Sequence, residues 1–395
     1  MKLTKDEEKI LDGERGEALQ LAYSILVKVG KVLGATRLIK ISHAHISGIS
    51  YKNIGDTGLK LIKSLAEKGA KFNTFTTINP AGMDLERWRE MNIPPNFANK
   101  QLEVIKALSK MGATLTLSCI PYYIRKPSYG EHLAWGESNA VLQANSVYGA
   151  RTNREGGPLV LFEAIAGKAP YFGLHTSEGR KPTIMVDLEE DKDDDIYLPL
   201  FGYAIGLSVK SGVPLLKREI NDLKNDVLLK LFLAAIGTSS SIGLIYIKGV
   251  TPDYNDFEEY AIRELDKLVI NLKDLDLPFI KNRNSRDSVV LIGCPHLTSD
   301  ELKTLNEEVD IVKKRTILFT SRHVYDKELK LIKELLNKGF EIYTDTCMVV
   351  SNLRSMGINR CMVDSVKAAY YLSSQGYEVT LKSRDEILKY IKCDL

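Results

Sequence analysis

Cysteine is scarce in this chain: five in 395 residues, an odd number, with no CxxC pair. In a reducing compartment a disulfide framework is therefore not expected, and a zinc ribbon or thioredoxin-type motif is absent. Charge of one sign is missing too. Lys and Arg number 54 against 51 Asp and Glu, a formal net charge of +3. The basic residues are dispersed, without a stripe of interleaved aromatics, so no nucleic-acid partner is expected. The longest apolar run, residues 227–237, contains Lys230 and is too short to span a bilayer, so no membrane partner is expected either. The N-terminal MKLTKDEEKIL is polar and acidic. It lacks the charged-then-apolar layout of a secretory signal, and a cytoplasmic location is the expectation. No His pair at i, i+4 encloses a Glu, which argues against a zinc hydrolase.

What is present is a composition able to bury a sizeable core: 44% hydrophobic and 27% charged. The length predicts two or three domains. Strand-like runs alternate with helical ones. Strands are expected at 37–42, 71–77, 114–119, 182–188, 244–248, 289–292, 316–320, 340–343 and 377–382. Helices are expected at 18–33, 55–69, 99–111, 137–148, 158–167, 198–211, 225–236, 253–272, 299–309, 326–338 and 365–375. This alternation predicts an α/β fold with mostly parallel sheets. An N-terminal region, 1–280, divisible near residue 150, is expected to precede a C-terminal α/β domain, 281–395. The charged, proline-containing stretch 273–287 reads as a linker, and the acidic run 189–195 as a solvated loop.

Three of the cysteines share a setting. Cys119 ends TLTLSC, Cys294 follows SVVLIG, and Cys347 follows FEIYTDT. Open parallel sheets place ligands beyond the carboxyl ends of their strands, so three thiols delivered this way could converge and hold an iron–sulfur cluster. Buried free Cys is common, and three structural thiols explain the same pattern. A [4Fe–4S] cluster normally takes four Cys. Three would leave one iron open to water or substrate, a Lewis acid suited to a hydro-lyase. Cys361 and Cys393 lie in helix-like or tail surroundings and read as structural.

Several stretches carry a resemblance. SGISYKNIGDTGL, INPAGMD, TLTLSCIPY, AWGESNAVLQANSVYGARTNREGGP, GCPH, YTDTCMVV and DSVKAAYY are similar to the large subunit of the aconitase X family, over essentially the whole chain. The resemblance implies an aconitase-like fold: parallel sheets flanked by helices, in two or three domains around a central cleft. It implies an iron–sulfur cluster, [4Fe–4S] in preference to [2Fe–2S], on Cys119, Cys294 and Cys347. It implies substrate contacts at Gly48, Ile49, Ser50, Asn79, Pro80, Asn139 and Lys367. Archaeal two-subunit members dehydrate (R)-5-phosphomevalonate to trans-anhydromevalonate 5-phosphate in the mevalonate pathway to isoprenoids. Bacterial members include cis-3-hydroxy-L-proline dehydratases, often with the small domain fused. This chain resembles the separate large subunit. The resemblance therefore implies a heterodimer whose small subunit supplies the general base, a serine. Asp364 stands where many relatives carry Asn.

Taken alone, these residues say less. Gly48 to Ser50 is an ordinary turn, Asn79–Pro80 a turn signal, and Asn139 a helix-start residue. Lys367 falls in the first turn of its helix, where the macrodipole disfavours a cation unless an anion pairs with it. His43, His45, His132, His175, His296 and His323 are candidates for acid–base work, and each is also explained as a structural histidine. A non-catalytic binding subunit with three core thiols is the alternative from another class.

Overall fold

The computed structural model describes residues 1–189, 196–274 and 288–393. All but the first two residues of the expected linker, the 280/281 division and nearly all of the acidic run fall outside them. Three parallel sheets follow one another along the chain. The first has the order Phe75–Ile78, His43–Ile46, Ala134–Trp135. A small antiparallel pair, Leu38–Lys40 with Lys168–Pro170, flanks it. The second has the order Pro214–Leu216, Ile184–Leu188, Lys267–Ile270. The third is five-stranded: Glu341–Tyr343, Thr316–Thr320, Val289–Leu297, Arg360–Val363, Glu378–Leu381. Helices cover these sheets, as parallel sheets require. No helix among the described residues is long and apolar enough to cross a membrane.

Several elements differ from expectation. Residues 43–46, read as part of a turn, are the central strand of the first sheet, and the turn shrinks to 47–50. Residues 114–119 form no strand and make one bridge, Thr114 with Thr77. Residues 244–248 likewise contribute a single bridge, at Tyr246. The helix expected over 253–272 is Asn255–Glu264, because Lys267–Ile270 pairs with Ile184–Leu188 as a strand. Cys361, read as helical, lies fully buried in the strand Arg360–Val363. The strand before Cys294 runs on through it to Leu297.

One packed cluster places the site. Met83, Met91, Ile93 and Ala98 from the first region pack with Leu291, Cys294, Phe319 and Tyr343 from the third. Polar bonds lock the same interface. Ala81 N–H donates to the Asp345 carbonyl at 2.7 Å. Thr344 donates to the Asp84 carboxylate through its N–H (3.0 Å) and its hydroxyl (3.1 Å). Arg322 spans Asp345, Asp84 and Glu86. The second region is tied on by a buried ion pair between Lys230 and Glu301.

Candidate active site

The carboxyl ends of the first sheet's strands open into a cavity of about 380 Å³. The strand His43–Ile46 leads into a turn at Ser47, Gly48 and Ser50 on its wall. Gly48 has φ of +70°, a conformation that favours glycine. Opposite it, a Cβ on Gly157 would lie 2.3 Å from the Ser47 carbonyl oxygen, so only glycine lets these backbones approach. Ser50 is fully buried, and its hydroxyl lacks a partner although it lines the cavity. Buried polar groups in folded proteins are almost always satisfied, so this hydroxyl is positioned for a ligand.

Asn79 and Pro80, after the strand Phe75–Ile78, form a second part of the wall. Asn79 holds a hydrogen-bond chain together. Its Nδ2 donates to Glu137 Oε2 at 2.7 Å, and its Oδ1 lies 3.0 Å from His45 Nε2. His45 Nε2 therefore carries the proton, and Nδ1 accepts from Thr77 Oγ1 at 2.8 Å. His43 Nε2 then donates to the same hydroxyl, also at 2.8 Å. Burial pushes both imidazoles down, His45 to about 4 and His43 to about 2, so both are neutral supports at neutral pH.

Glu137 and Lys367 form the centre of the wall. Lys367 Nζ lies 2.5 Å from Glu137 Oε1, 3.1 Å from Asn139 Oδ1 and 3.3 Å from Ser138 Oγ. Burial works against both charges. The pair outweighs it: Lys367 is raised and Glu137 lowered, so both stay ionised. Glu137 and Arg154 also line the cavity, and local sequence pattern assigns neither a role. A carboxylate before a helix reads as a cap, yet the oxygens of Glu137 go to residues 58 and 230 positions away.

The three predicted thiols adjoin this wall, all buried. Cys347 interacts electrostatically with Cys119 and with Cys294. Each sulfur has a hydrogen-bond donor. His296 N–H lies 3.3 Å from Cys119 Sγ, the Ser365 hydroxyl faces Cys294, and the Val349 and Val350 amides face Cys347. Burial raises all three thiols, Cys294 to about 12, while Lys367 opposes the rise at each. Among the described residues no three His, Cys, Asp or Glu side chains are grouped to hold a metal ion. The donor set nonetheless fits a three-thiolate group: soft ligands, donors at every sulfur, and a cation alongside.

Of the predicted substrate residues, Gly48, Ser50, Asn79, Pro80 and Lys367 line the cavity. Ile49 is turned into the core beside it. Asn139 stands behind the wall, linking Lys367 to the Cys119 carbonyl (3.0 Å from Nδ2). The histidines divide. His296 donates from Nε2 to the Thr346 carbonyl at 2.8 Å. His132 and His175 face one another at 3.0 Å away from the cavity wall, and His323 is exposed.

Parallel sheets around a cleft, with three thiols brought to its wall from separate segments, define an aconitase-like α/β protein. Family models for the first, second and third domains of aconitase X match residues 1–178, 182–277 and 287–391. The chain belongs to the aconitase X family. It is 38% identical to the phosphomevalonate dehydratase large subunit of Methanocaldococcus jannaschii, over 98% of this chain and 100% of that one. It is 31% identical to the cis-3-hydroxy-L-proline dehydratase of Pseudomonas aeruginosa, over 92% of this chain but 65% of that protein. The crystal structure of holo-form aconitase X from Thermococcus kodakaraensis superposes with a TM-score of 0.90 at 37% identity, covering 99% of this chain and all of that one.

Proposed function

We propose that this chain is the large subunit of a cytoplasmic hydro-lyase that dehydrates (R)-5-phosphomevalonate to trans-anhydromevalonate 5-phosphate. The observation that carries the reading is the cavity wall, where a buried Glu137–Lys367 pair lines the substrate space and interacts electrostatically with three donor-supported thiols. The full-length likeness to an archaeal phosphomevalonate dehydratase large subunit supports the substrate. The hydroxyproline enzyme is more distant and is matched over only part of its length.

Cys119, Cys294 and Cys347 would hold an iron–sulfur cluster, [4Fe–4S] by preference. Bound there with one iron free of protein ligands, the cluster supplies a Lewis acid for a hydroxyl leaving group. The chain's own residues do the positioning. Ser50 and the backbone at Gly48 grip the substrate's polar end, Asn79 and Lys367 hold Glu137 fixed, and Pro80 shapes the wall. The reaction takes OH from C3 and a proton from C2, giving the alkene and water. The base for the C2 proton comes from a serine of a small partner subunit, which completes the site.

Co-expression with that partner, anaerobic purification, iron and sulfide counting, and an NMR assay of both family substrates test the reading. Bound iron and water loss from 5-phosphomevalonate are expected. Dehydration of cis-3-hydroxy-L-proline alone, or a complex free of iron and sulfide, overturns it.

A further inference from the structure

Three charged side chains line the cavity: Glu137, Lys367 and Arg154. The first two neutralise one another at 2.5 Å. Arg154 is different. Its guanidinium donates to the carbonyls of Gly237, at 2.7 Å, and of Ser240. Both belong to the C-terminal end of the helix Asp226–Ser239, where unpaired carbonyls carry partial negative charge. These partners hold the group in place, and Tyr371 and Glu137 act on its charge only from beyond ion-pair distance. No carboxylate lies within ion-pair distance of it among the described residues. Of the five N–H donors of an arginine, two are used. The side chain is half-buried, and it lines the cavity together with Ser47, Ser138 and the unpartnered Ser50 hydroxyl.

A planar fork of donors, anchored from behind by a helix end and facing a polar cavity, matches an oxyanion. Lys367 cannot take that part while Glu137 holds it. We infer that Arg154 is the anion anchor of this cavity and binds an oxyanionic end of the substrate, a phosphate or a carboxylate. The inference rests on the functional reading above for the identity of that substrate, but the anion preference follows from the cavity itself.

The two-subunit holoenzyme tests it through Arg154→Gln and Arg154→Lys. Removing one charge-assisted hydrogen bond to the substrate should raise the KM for 5-phosphomevalonate about ten- to hundredfold in Arg154→Gln, with kcat changed less. Arg154→Lys keeps the charge without the fork and falls between. Inorganic phosphate and 3-hydroxy-3-methylglutarate serve as competing anions. Loss of phosphate competition in Arg154→Gln assigns the phosphate end; loss of competition by the dicarboxylate assigns the carboxylate end. Should Arg154→Gln melt early or lose iron because its helix end is released, Arg154→Lys becomes the deciding variant. A KM within twofold of wild type, with both anions competing as before, overturns the inference. A wild-type complex inactive on 5-phosphomevalonate defeats only the functional reading. Calorimetric binding of the same two anions to wild type and variants then decides Arg154, and equal or absent binding counts against it.

Discussion

Lys367 Nζ sits 2.5 Å from Glu137 Oε1 although the two residues are 230 positions apart, one from the third region and one from the first. The pair is a wall of the cavity and an electrostatic neighbour of all three thiols at once. Removing one partner of a buried pair strands the other charge, at a cost of about 3–5 kcal/mol. Glu137→Gln and Lys367→Met are each expected to lose stability of that order in urea unfolding. The double variant Glu137→Gln/Lys367→Met recovers part of it, while activity stays lost in all three. Equal stability of single and double variants would contradict the coupling.

Cys119, Cys294 and Cys347 each carry a donor to sulfur, whereas Cys361 is fully buried in the strand Arg360–Val363. Serine at any of the first three is expected to remove most bound iron and sulfide, read from visible absorbance and chemical assay of anaerobic protein. Cys361→Ala keeps both. Retention of iron in Cys294→Ser would sink the three-thiol assignment.

Gly157→Ala would bring a methyl carbon 2.3 Å from the Ser47 carbonyl oxygen, well inside van der Waals separation. The turn 47–50 has to shift, and with it Ser50. Substrate KM should rise at least several-fold with iron content unchanged, because the thiols lie on other segments. Steady-state kinetics beside an iron assay separates the two effects.

Glu155 and Glu163 form a buried acidic pair; neither Glu163 oxygen has a partner. Burial raises Glu155 to about 7 and Glu163 well above the ordinary carboxylate range, with Glu155 repulsion adding to the latter. Both folded pKa values exceed the unfolded one. The folded chain therefore holds protons that the unfolded chain has released. Stability from this pair is complete below pH 4.5, and the Glu155 share of it is lost as pH rises through about 7. Thermal melts between pH 5 and 8 should show falling stability. Glu163→Gln should flatten the slope and raise stability at pH 8; an unchanged slope would exclude the pair as its source.

The α/β alternation and the thiol positions were legible because they rest on local signals: β-branched runs, helix periodicity, and a cysteine after each run. Where legibility failed, side chains had replaced backbone bonds. TLTLS reads as a strand, but the Thr116 hydroxyl takes both Ile78 backbone groups, at 3.2 and 3.0 Å, and Leu117 turns the chain with φ of +44°. Thr298 caps the helix Ser299–Glu308 through a capping box with Glu301, a boundary that local pattern places only to within a residue or two. Glu137 and Arg154 owe their places to partners far along the chain. Composition carries no trace of such pairings. The Asp364 departure has a local answer: its carboxylate accepts from the half-buried Arg384 guanidinium, beside Ser365 and the helix that carries Lys367.

The clamp of Arg322 on Asp345, Asp84 and Glu86 joins the loop after Asn79–Pro80 to the segment that presents Cys347. The parallel bridge of Ala81 with Thr346 reinforces it. Cavity wall and Cys347 segment are thus riveted into one jaw. Traffic into the cavity has to pass by its open rim, and under the proposed function that rim is where the small subunit would bring its base.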